Sequence, residues 1–149
     1  MTDKTASKTT QLDRKYLKRA IQLAAGSPER IGCGVVIIEA GHVLAETTNS
    51  QRTDKCAVFH AEIKAIIAAN KATGERTLPN ATAYCSCEPC AMCLTALSYA
   101  KIKRIVFDLR MLDVFPLDPQ SQLDAYAFVQ SLNFTPELVR LESSQAPAH

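Results

Sequence analysis

The sequence predicts an α/β fold of three layers, in which helices cover both faces of a central mixed sheet of five strands. The chain has 149 residues, of which 47% are apolar, so it is large enough for one domain with a buried core and too short for two ordinary domains. Helix-like and strand-like patterns alternate along it in the order αββαβαβαβ. The strand-helix-strand units of the second half favour parallel pairing there, whereas the first two strands form an antiparallel hairpin.

The first half of the chain begins with a helical stripe of apolar side chains, opposed by arginines and lysines, that stops at Gly26-Ser27-Pro28. Two short apolar segments surround Glu39-Ala40-Gly41, whose glycine suits a hairpin turn. A run of good helix formers then ends near Gly74. The predicted elements are a helix over residues 12–25, strands over 34–38 and 42–45, and a helix over 61–71.

In the second half, single strands and helices alternate. Pro89 suits the first position of a helix, and a loop with Pro116 and Pro119 precedes the last helix. The predicted elements are a strand over 81–85, a helix from Pro89 through Tyr99, a strand over 105–107, a helix over 122–132 and a strand over 137–141. We expect a single domain over residues 11–142, with flexible segments at 1–10 and 143–149.

Composition narrows the class of protein. The formal net charge is only +2, so the overall charge does not call for a polyanionic partner. The polar first ten residues do not resemble a secretory signal, and no apolar run approaches the roughly 20 residues that span a bilayer. Six cysteines without a signal indicate reduced thiols, which bind metal more often than they pair. We therefore expect a cytoplasmic protein with no membrane contact.

Two motifs carry the chemistry: His60-Ala61-Glu62 and Pro89-Cys90-Ala91-Met92-Cys93. Both lie where a helix is predicted to start, and Cys90 and Cys93, three residues apart, share one helix face. One histidine and two cysteines make three corners of a zinc tetrahedron and leave the fourth for water, as catalytic zinc sites do. A histidine and a glutamate in H-x-E, followed by P-C-x-x-C, form the signature of the zinc nucleobase deaminases.

Glu62 is the candidate proton carrier of such a site. Zinc lowers the pKa of a bound water towards about 7, so that a neighbouring carboxylate can take its proton and leave a hydroxide nucleophile. Attack on the amino-bearing carbon of a ring requires protonation of the ring nitrogen and later of the departing amine. One carboxylate that shuttles protons serves all these steps.

Other interpretations of these residues remain open. Taken singly, His60 could cap a helix, Glu62 could be solvated and the cysteines could be small core residues. Cys85, Cys87, Cys90 and Cys93 could instead form a structural site of four thiolates, which would leave the histidine and the glutamate without a role. We expect Cys85 and Cys87 to lie in the core or near the metal without binding it.

The segment from Tyr84 to Leu94, YCSCEPCAMCL, resembles the cytidine and deoxycytidylate deaminase superfamily, and most similarly its guanine deaminase and tRNA adenosine deaminase branches. The resemblance covers most of the chain. It implies a cytidine deaminase-like fold, a homodimer, and one Zn²⁺ bound by His60, Cys90 and Cys93, with Glu62 moving the protons. It also implies that Asn49, eleven residues before the histidine, and the backbone NH of Ala61 contact the base.

Departures from the family pattern concern the substrate. Phe59 stands where the family often has a small residue, and it could stack on a base or fill the core. Cys56 is reminiscent of deoxycytidylate deaminases, while the tail from Glu142 lacks the long basic helix associated with the tRNA enzymes. An acidic residue in the 108–118 stretch could read guanine, with Asp113 and Asp108 as candidates whose ordinary place is an exposed loop.

The sequence thus predicts a zinc-dependent hydrolytic deaminase of a nucleobase or nucleoside, with guanine the best single substrate. An enzyme that edits adenosine or cytidine in nucleic acid is the first alternative, because basic residues cluster at 14–19 and 101–104. A deaminase of a pyrimidine nucleotide such as deoxycytidylate is the second. A zinc domain without enzymatic activity is the third, although it has no need for Glu62.

Overall fold

The helices and strands follow one another in the predicted order, with two short additions. A computed structural model describes residues 4–143, and their side chains from Thr10 onwards. Its elements are α1 (Lys4–Ala25), β1 (Gly34–Glu39), β2 (His42–Thr48), α2 (Ala61–Thr73), β3 (Ala81–Cys87), α3 (Ala91–Tyr99), β4 (Arg104–Leu109), α4 (Met111–Val114), a 3₁₀ helix (Pro119–Gln122), α5 (Ala125–Val129) and β5 (Glu137–Arg140).

The five strands form one mixed sheet in the order β2-β1-β3-β4-β5. β1 is antiparallel to both β2 and β3, whereas β3, β4 and β5 run parallel. The hairpin turn at Ala40-Gly41 has positive φ at both residues, which matches the right-handed twist of the strands it joins. The predicted hairpin and the predicted parallel pairing of the second half are both confirmed.

Side chains of the sheet alternate between two buried clusters, so that helices cover both faces. On one face, Val36, Tyr84 and Val106 pack against Leu17 and Ala20 of α1. On the other face, residues of β1, β3 and β4 pack against α2, α3 and α5. This arrangement is the predicted three-layer α/β/α fold. No helix within residues 4–143 has both the length and the apolar character that crossing a membrane would need.

Two contacts set α1 on its face of the sheet. A Cβ at Gly34 would lie 2.1 Å from the carbonyl oxygen of Ala20, so only glycine permits this approach of strand to helix. The buried carboxylate of Asp13 accepts hydrogen bonds from Arg104 at 2.7 and 2.6 Å and from the Tyr84 hydroxyl at 2.8 Å. These bonds tie α1 to β3 and β4.

Several predicted boundaries were wrong. α1 begins eight residues before Leu12, because the polar residues at its start continue the helix without an apolar stripe. Cys90 is the N-cap of α3, so Pro89 precedes that helix instead of opening it. The last helix spans five residues instead of 122–132, and the Asp124 carboxylate fixes its later start by accepting hydrogen bonds from two backbone NH groups.

The extensions of other elements are small. β2 and β3 run three and two residues further than predicted, and α4 and the 3₁₀ helix lie in a stretch predicted to be a loop. The predicted flexible ends, 1–10 and 143–149, stay predictions, and residues 1–3 and 144–149 lie outside the described residues.

Candidate active site

The side chains of His60, Cys90 and Cys93 converge at one point on the α2 and α3 side of the sheet. The Nδ1 of His60 lies 3.7 Å from the sulfur of Cys90 and 3.5 Å from that of Cys93. In a tetrahedral zinc site with bonds of about 2.0 Å to nitrogen and 2.3 Å to sulfur, a nitrogen and a sulfur lie about 3.5 Å apart. Among residues 4–143, these three side chains form the group whose donor atoms lie close enough together to hold one metal ion. The three donors therefore have the spacing of three corners of a zinc tetrahedron.

Two helix starts bring these donors together. His60 is the N-cap of α2 and Cys90 the N-cap of α3, and neither side chain caps its own helix with a hydrogen bond. Cys93 lies one turn into α3 and is fully buried. The positive ends of two helix dipoles thus point at the site, where they favour thiolate over thiol. The prediction that both motifs open helices is confirmed.

The two cysteine thiols of the site differ in pKa. A hydrogen bond donated by the Cys93 thiol, supported by His60 and opposed by burial, lowers the pKa of Cys90 to about 4. The same bond, with burial, raises the pKa of Cys93. Metal binding requires both as thiolates, so occupation of the site releases a proton from Cys93.

Glu62 lies beside these donors in a dry environment. Only 4% of the residue is exposed. Burial raises the pKa of its carboxyl, while the neighbouring Cys93 thiol acts in the opposite direction. A carboxyl held this way takes up a proton more readily than a solvated one, as a general base and acid must.

The site opens into a cavity of about 380 Å³. This volume lies towards the lower end of the range for small-molecule sites, about 300–1,000 Å³. Four carboxylates and one arginine line it, and its lining includes Glu29, Arg30, Ile31, Cys33, Asn49, Gln51, His60, Ala61, Glu62, Cys87, Glu88, Cys90, Met111, Phe115, Asp118 and Gln120. The charged residues of the lining are therefore mostly acidic.

Residues 10–109 match the family model described as the cytidine and deoxycytidylate deaminase zinc-binding region. The chain belongs to this family. The match includes both ligand motifs and Glu62. Because the matched region is a zinc-binding one and the three donors have zinc spacing, the expected metal is Zn²⁺.

Two similar proteins of known sequence are named for different substrates. A tRNA-specific adenosine deaminase of Agrobacterium fabrum is 37% identical over 84 residues, 56% of this chain and 55% of that protein. A guanine deaminase of Bacillus subtilis is 40% identical over 95 residues, 62% of this chain and 61% of that protein. A solved structure from work on A-to-I editing by tRNA:A34 deaminases has a TM-score of 0.67 and 26% identity, covering 85% of this chain and 91% of its own. This chain therefore spans less than two thirds of the length of each of the two sequence relatives.

Asn49, which the family resemblance assigns to the base, is also a structural anchor. Its Oδ1 accepts hydrogen bonds from the Ser27 hydroxyl at 2.7 Å and the Cys33 NH at 2.9 Å. Its Nδ2 donates to the carbonyl of Ile31 at 2.9 Å. The residue is buried and lines the cavity, so one hydrogen of its amide is left to meet a base. Ala61, the other residue assigned to the base, also lines the cavity.

The remaining predicted substrate residues lie elsewhere. Phe59 is half-buried and is not among the residues that line the cavity. Asp113 is also outside the lining and pairs with the exposed Arg110 at 2.9 Å, which lowers the pKa of Asp113. Asp108 is buried instead of exposed in a loop, and burial raises its pKa although its Oδ1 accepts a bond from the Ser143 NH. Their assignment to the substrate stays a prediction.

The cysteines outside the metal site occupy different environments. Cys85 is fully buried in the core, and burial raises its pKa. Cys87 lines the cavity, and Cys56 is half-buried and outside the lining. Neither Cys85 nor Cys87 belongs to the metal-spaced group of donors found within residues 4–143. This placement disfavours the four-thiolate alternative.

Several cavity residues were missed from the sequence. Glu29 and Gln51 lie in loops, and Asp118 and Gln120 belong to the 3₁₀ helix region after α4. Asp118 caps that helix through a hydrogen bond from the Gln120 NH at 2.9 Å. Its position within the 108–118 stretch, already singled out for an acidic residue, was the one available signal.

Proposed function

We propose that this chain hydrolytically deaminates a free nucleobase, with guanine as the best candidate, at a zinc ion held by His60, Cys90 and Cys93. One observation carries the proposal: three donors with tetrahedral spacing stand beside the buried carboxyl of Glu62 at a cavity of small-molecule size. For guanine the balance is one water consumed, one ammonia released and xanthine formed. Hydrolysis of this kind needs no oxidant or further co-reactant.

Zinc bound there would supply Lewis acidity and lower the pKa of water towards about 7. Glu62 would take a proton from water and pass it to the ring nitrogen next to the amino-bearing carbon. It would then move a second proton to the amine, which leaves as ammonia. The raised pKa of the buried carboxyl suits a group that must both hold and release protons.

The charge of the cavity supports an uncharged base as substrate. Glu29, Glu62, Glu88 and Asp118 line it against a single arginine, Arg30. A phosphate close to this lining would meet mostly like charge, which disfavours nucleotides and nucleic acid. Guanine carries ring NH groups, which carboxylates accept as hydrogen-bond donors.

Asp118 is the acidic residue that we assign to reading the base. It lies in the lining, and although its Oδ1 accepts the Gln120 NH, a carboxylate accepts further donors. We expect Asp118→Asn to raise KM for guanine more than it lowers kcat. Asp113→Asn is the comparison variant, because Asp113 lies outside the cavity lining: a rise in KM there and not in Asp118→Asn would favour the predicted role of Asp113.

Editing of a tRNA adenosine is the second candidate, favoured by the A. fabrum relative and by the solved structure from tRNA:A34 deaminase work. Phosphate contacts would make such binding fall steeply as salt rises. A free-base activity that is insensitive to salt distinguishes the two candidates.

Assembly and compartment remain expectations. We propose a homodimer, to which the exposed apolar side chains of Leu112, Leu117 and Tyr126 could contribute. Light scattering that shows a monomer at assay concentration would remove it. The six free thiols agree with a reducing, cytoplasmic location.

The test is ammonia release by the zinc-loaded protein from guanine, adenosine, cytosine, cytidine, deoxycytidylate and tRNA. Glu62→Gln is the active-site variant, and the exposed Glu75→Gln is its matched control. We expect turnover of guanine that Glu62→Gln reduces by at least about 10³-fold and Glu75→Gln leaves unchanged. Turnover of tRNA alone would overturn guanine as the proposed substrate. No ammonia release from any compound, with zinc bound, would overturn the proposed reaction.

A further inference from the structure

Cys33 and Cys87, two cysteines outside the metal site, lie next to each other in the wall of the cavity. The antiparallel register of β1 and β3 pairs Val35 with Cys85. Cys33 lies one residue before β1, and continuing the same register by two residues sets it opposite Cys87, the last residue of β3. The strands stay together there, because the Gly34 NH donates a 2.9 Å hydrogen bond to the Ser86 hydroxyl.

This placement suits a disulfide. Residues directly opposed in an antiparallel pair have Cα atoms about 4.5–5.5 Å apart, and disulfides join Cα atoms about 4.4–6.8 Å apart. Each thiol is the main cause of the other's pKa shift, which raises the pKa of Cys33 and lowers that of Cys87. The strand register thus places the two thiols where a bridge can join them.

Both sulfur-bearing residues can be reached through the cavity, because Cys33 and Cys87 belong to its lining. The neighbouring Cys33 thiol, with a 3.9 Å hydrogen bond from the Ser86 hydroxyl, lowers the pKa of Cys87, whereas burial raises the pKa of Cys85. The thiolate is the form that attacks an oxidant. Cys87 is thus the attacking thiol and Cys33 the resolving one.

We propose that Cys33 and Cys87 form an oxidisable dithiol in the cavity wall, which a peroxide converts to a disulfide. The Cys87 thiolate attacks one oxygen of hydrogen peroxide, and the other oxygen leaves as hydroxide, which is protonated to water. Cys33 then attacks the sulfenic sulfur of Cys87, and a second water leaves. Two thiols lose two electrons in all, and one peroxide is reduced to two waters.

Oxidation would act on the cavity through Asn49. The Cys33 NH donates to the Asn49 side chain at 2.9 Å, and the Asn49 NH donates to the Cys33 carbonyl at 3.2 Å. A disulfide that draws Cys33 towards Cys87 therefore displaces a residue of the cavity lining. Because small misplacements in an active site cost up to about 10²-fold in rate, we expect activity to fall by at least about threefold and to recover with dithiothreitol.

The chemical test does not depend on the proposed reaction. The zinc-loaded full chain is treated with hydrogen peroxide, its remaining thiols are alkylated, and its tryptic peptides are mapped by mass spectrometry without reduction. The peptide of residues 31–52 contains Cys33 alone, whereas that of residues 77–101 contains four cysteines, so fragment spectra must assign the bridge. We expect a link between Cys33 and Cys87, loss of two thiols and full retention of zinc.

Variants separate this dithiol from general oxidation. Cys33→Ser and Cys87→Ser should each lose the reversible part of the response relative to their own untreated activity. Cys56→Ser, a half-buried cysteine outside the cavity lining, should keep it. The proposal fails if Cys33 and Cys87 remain fully alkylatable in the wild-type chain, or if the first cysteines oxidised are Cys90 and Cys93 with loss of zinc.

Discussion

Replacement of Asn49 by alanine tests whether this residue is an anchor of the fold as well as part of the cavity. The change removes three hydrogen bonds, from Ser27 and Cys33 to Oδ1 and from Nδ2 to Ile31. Each such bond contributes about 0.5–1.5 kcal/mol net, and water can replace the partner at the exposed Ile31. We therefore expect a loss of about 2–3 kcal/mol in the free energy of unfolding.

For a chain of this length, that loss lowers the thermal midpoint by about 4–12 °C. The assay is thermal unfolding at fixed zinc concentration, with the exposed Asn80→Ala as the matched control. A midpoint of Asn49→Ala within about 1 °C of the wild type would refute the structural role. In that case, a lower activity of Asn49→Ala, measured below both midpoints, would report the loss of the contact with the base alone.

Other perturbations follow from the packing of α1 and from the metal. Tyr84 donates to the buried Asp13, and burial followed by that bond raises the pKa of Tyr84, so the unfolded chain ionises this tyrosine at about pH 10 before the folded one does. The stability that Tyr84 contributes is therefore complete below pH 10 and is lost as the pH rises above it. In denaturant unfolding, the free energy of unfolding of the wild type should exceed that of Tyr84→Phe by an amount that shrinks by up to about 1.4 kcal/mol per pH unit. The difference between the wild type and Tyr99→Phe, at an exposed tyrosine, should show no such trend. A Tyr84→Phe difference that stays constant from pH 8 to pH 11 would contradict this. Gly34→Ala should lose at least about 3 kcal/mol or fail to fold, because the new Cβ would lie 2.1 Å from the Ala20 carbonyl, and a loss below about 1 kcal/mol in chemical unfolding would show that α1 can move away. Removal of zinc by a chelator should reversibly lower the free energy of unfolding, by about 3–4 kcal/mol relative to the protein at zinc 100- to 1,000-fold above its Kd, and the thermal midpoint should fall with it. An unchanged midpoint in a chain verified to be metal-free would contradict a metal that binds the folded state.

The parts of the fold that the sequence predicts well are those with a strong local signal. The hairpin follows from the glycine at 41 between two apolar runs, and the start of α2 follows from the helix formers after His60, whereas α3 starts two residues after the predicted Pro89. The parallel pairing of β3 with β4 follows from the helix between them. The metal donors could be predicted for the same reason, because all three lie in two short motifs at helix starts.

The walls of the cavity carried no such signal. Asp118 lies beside a helix of only four residues, too short for any periodicity to show, and Glu29, another lining residue, lies in a loop. The double role of Asn49 depends on partners 16 to 22 residues away in sequence. Cys33 and Cys87 meet only through the register of β1 and β3, which no local pattern encodes.

The role of Glu62 is tested most directly by comparing ammonia release from guanine by the wild type and by Glu62→Gln, with the zinc content of each sample measured alongside. We expect one zinc per chain in both proteins and turnover in the wild type alone. A Glu62→Gln protein that holds zinc and still turns over guanine at close to the wild-type rate would contradict the proposed role of Glu62.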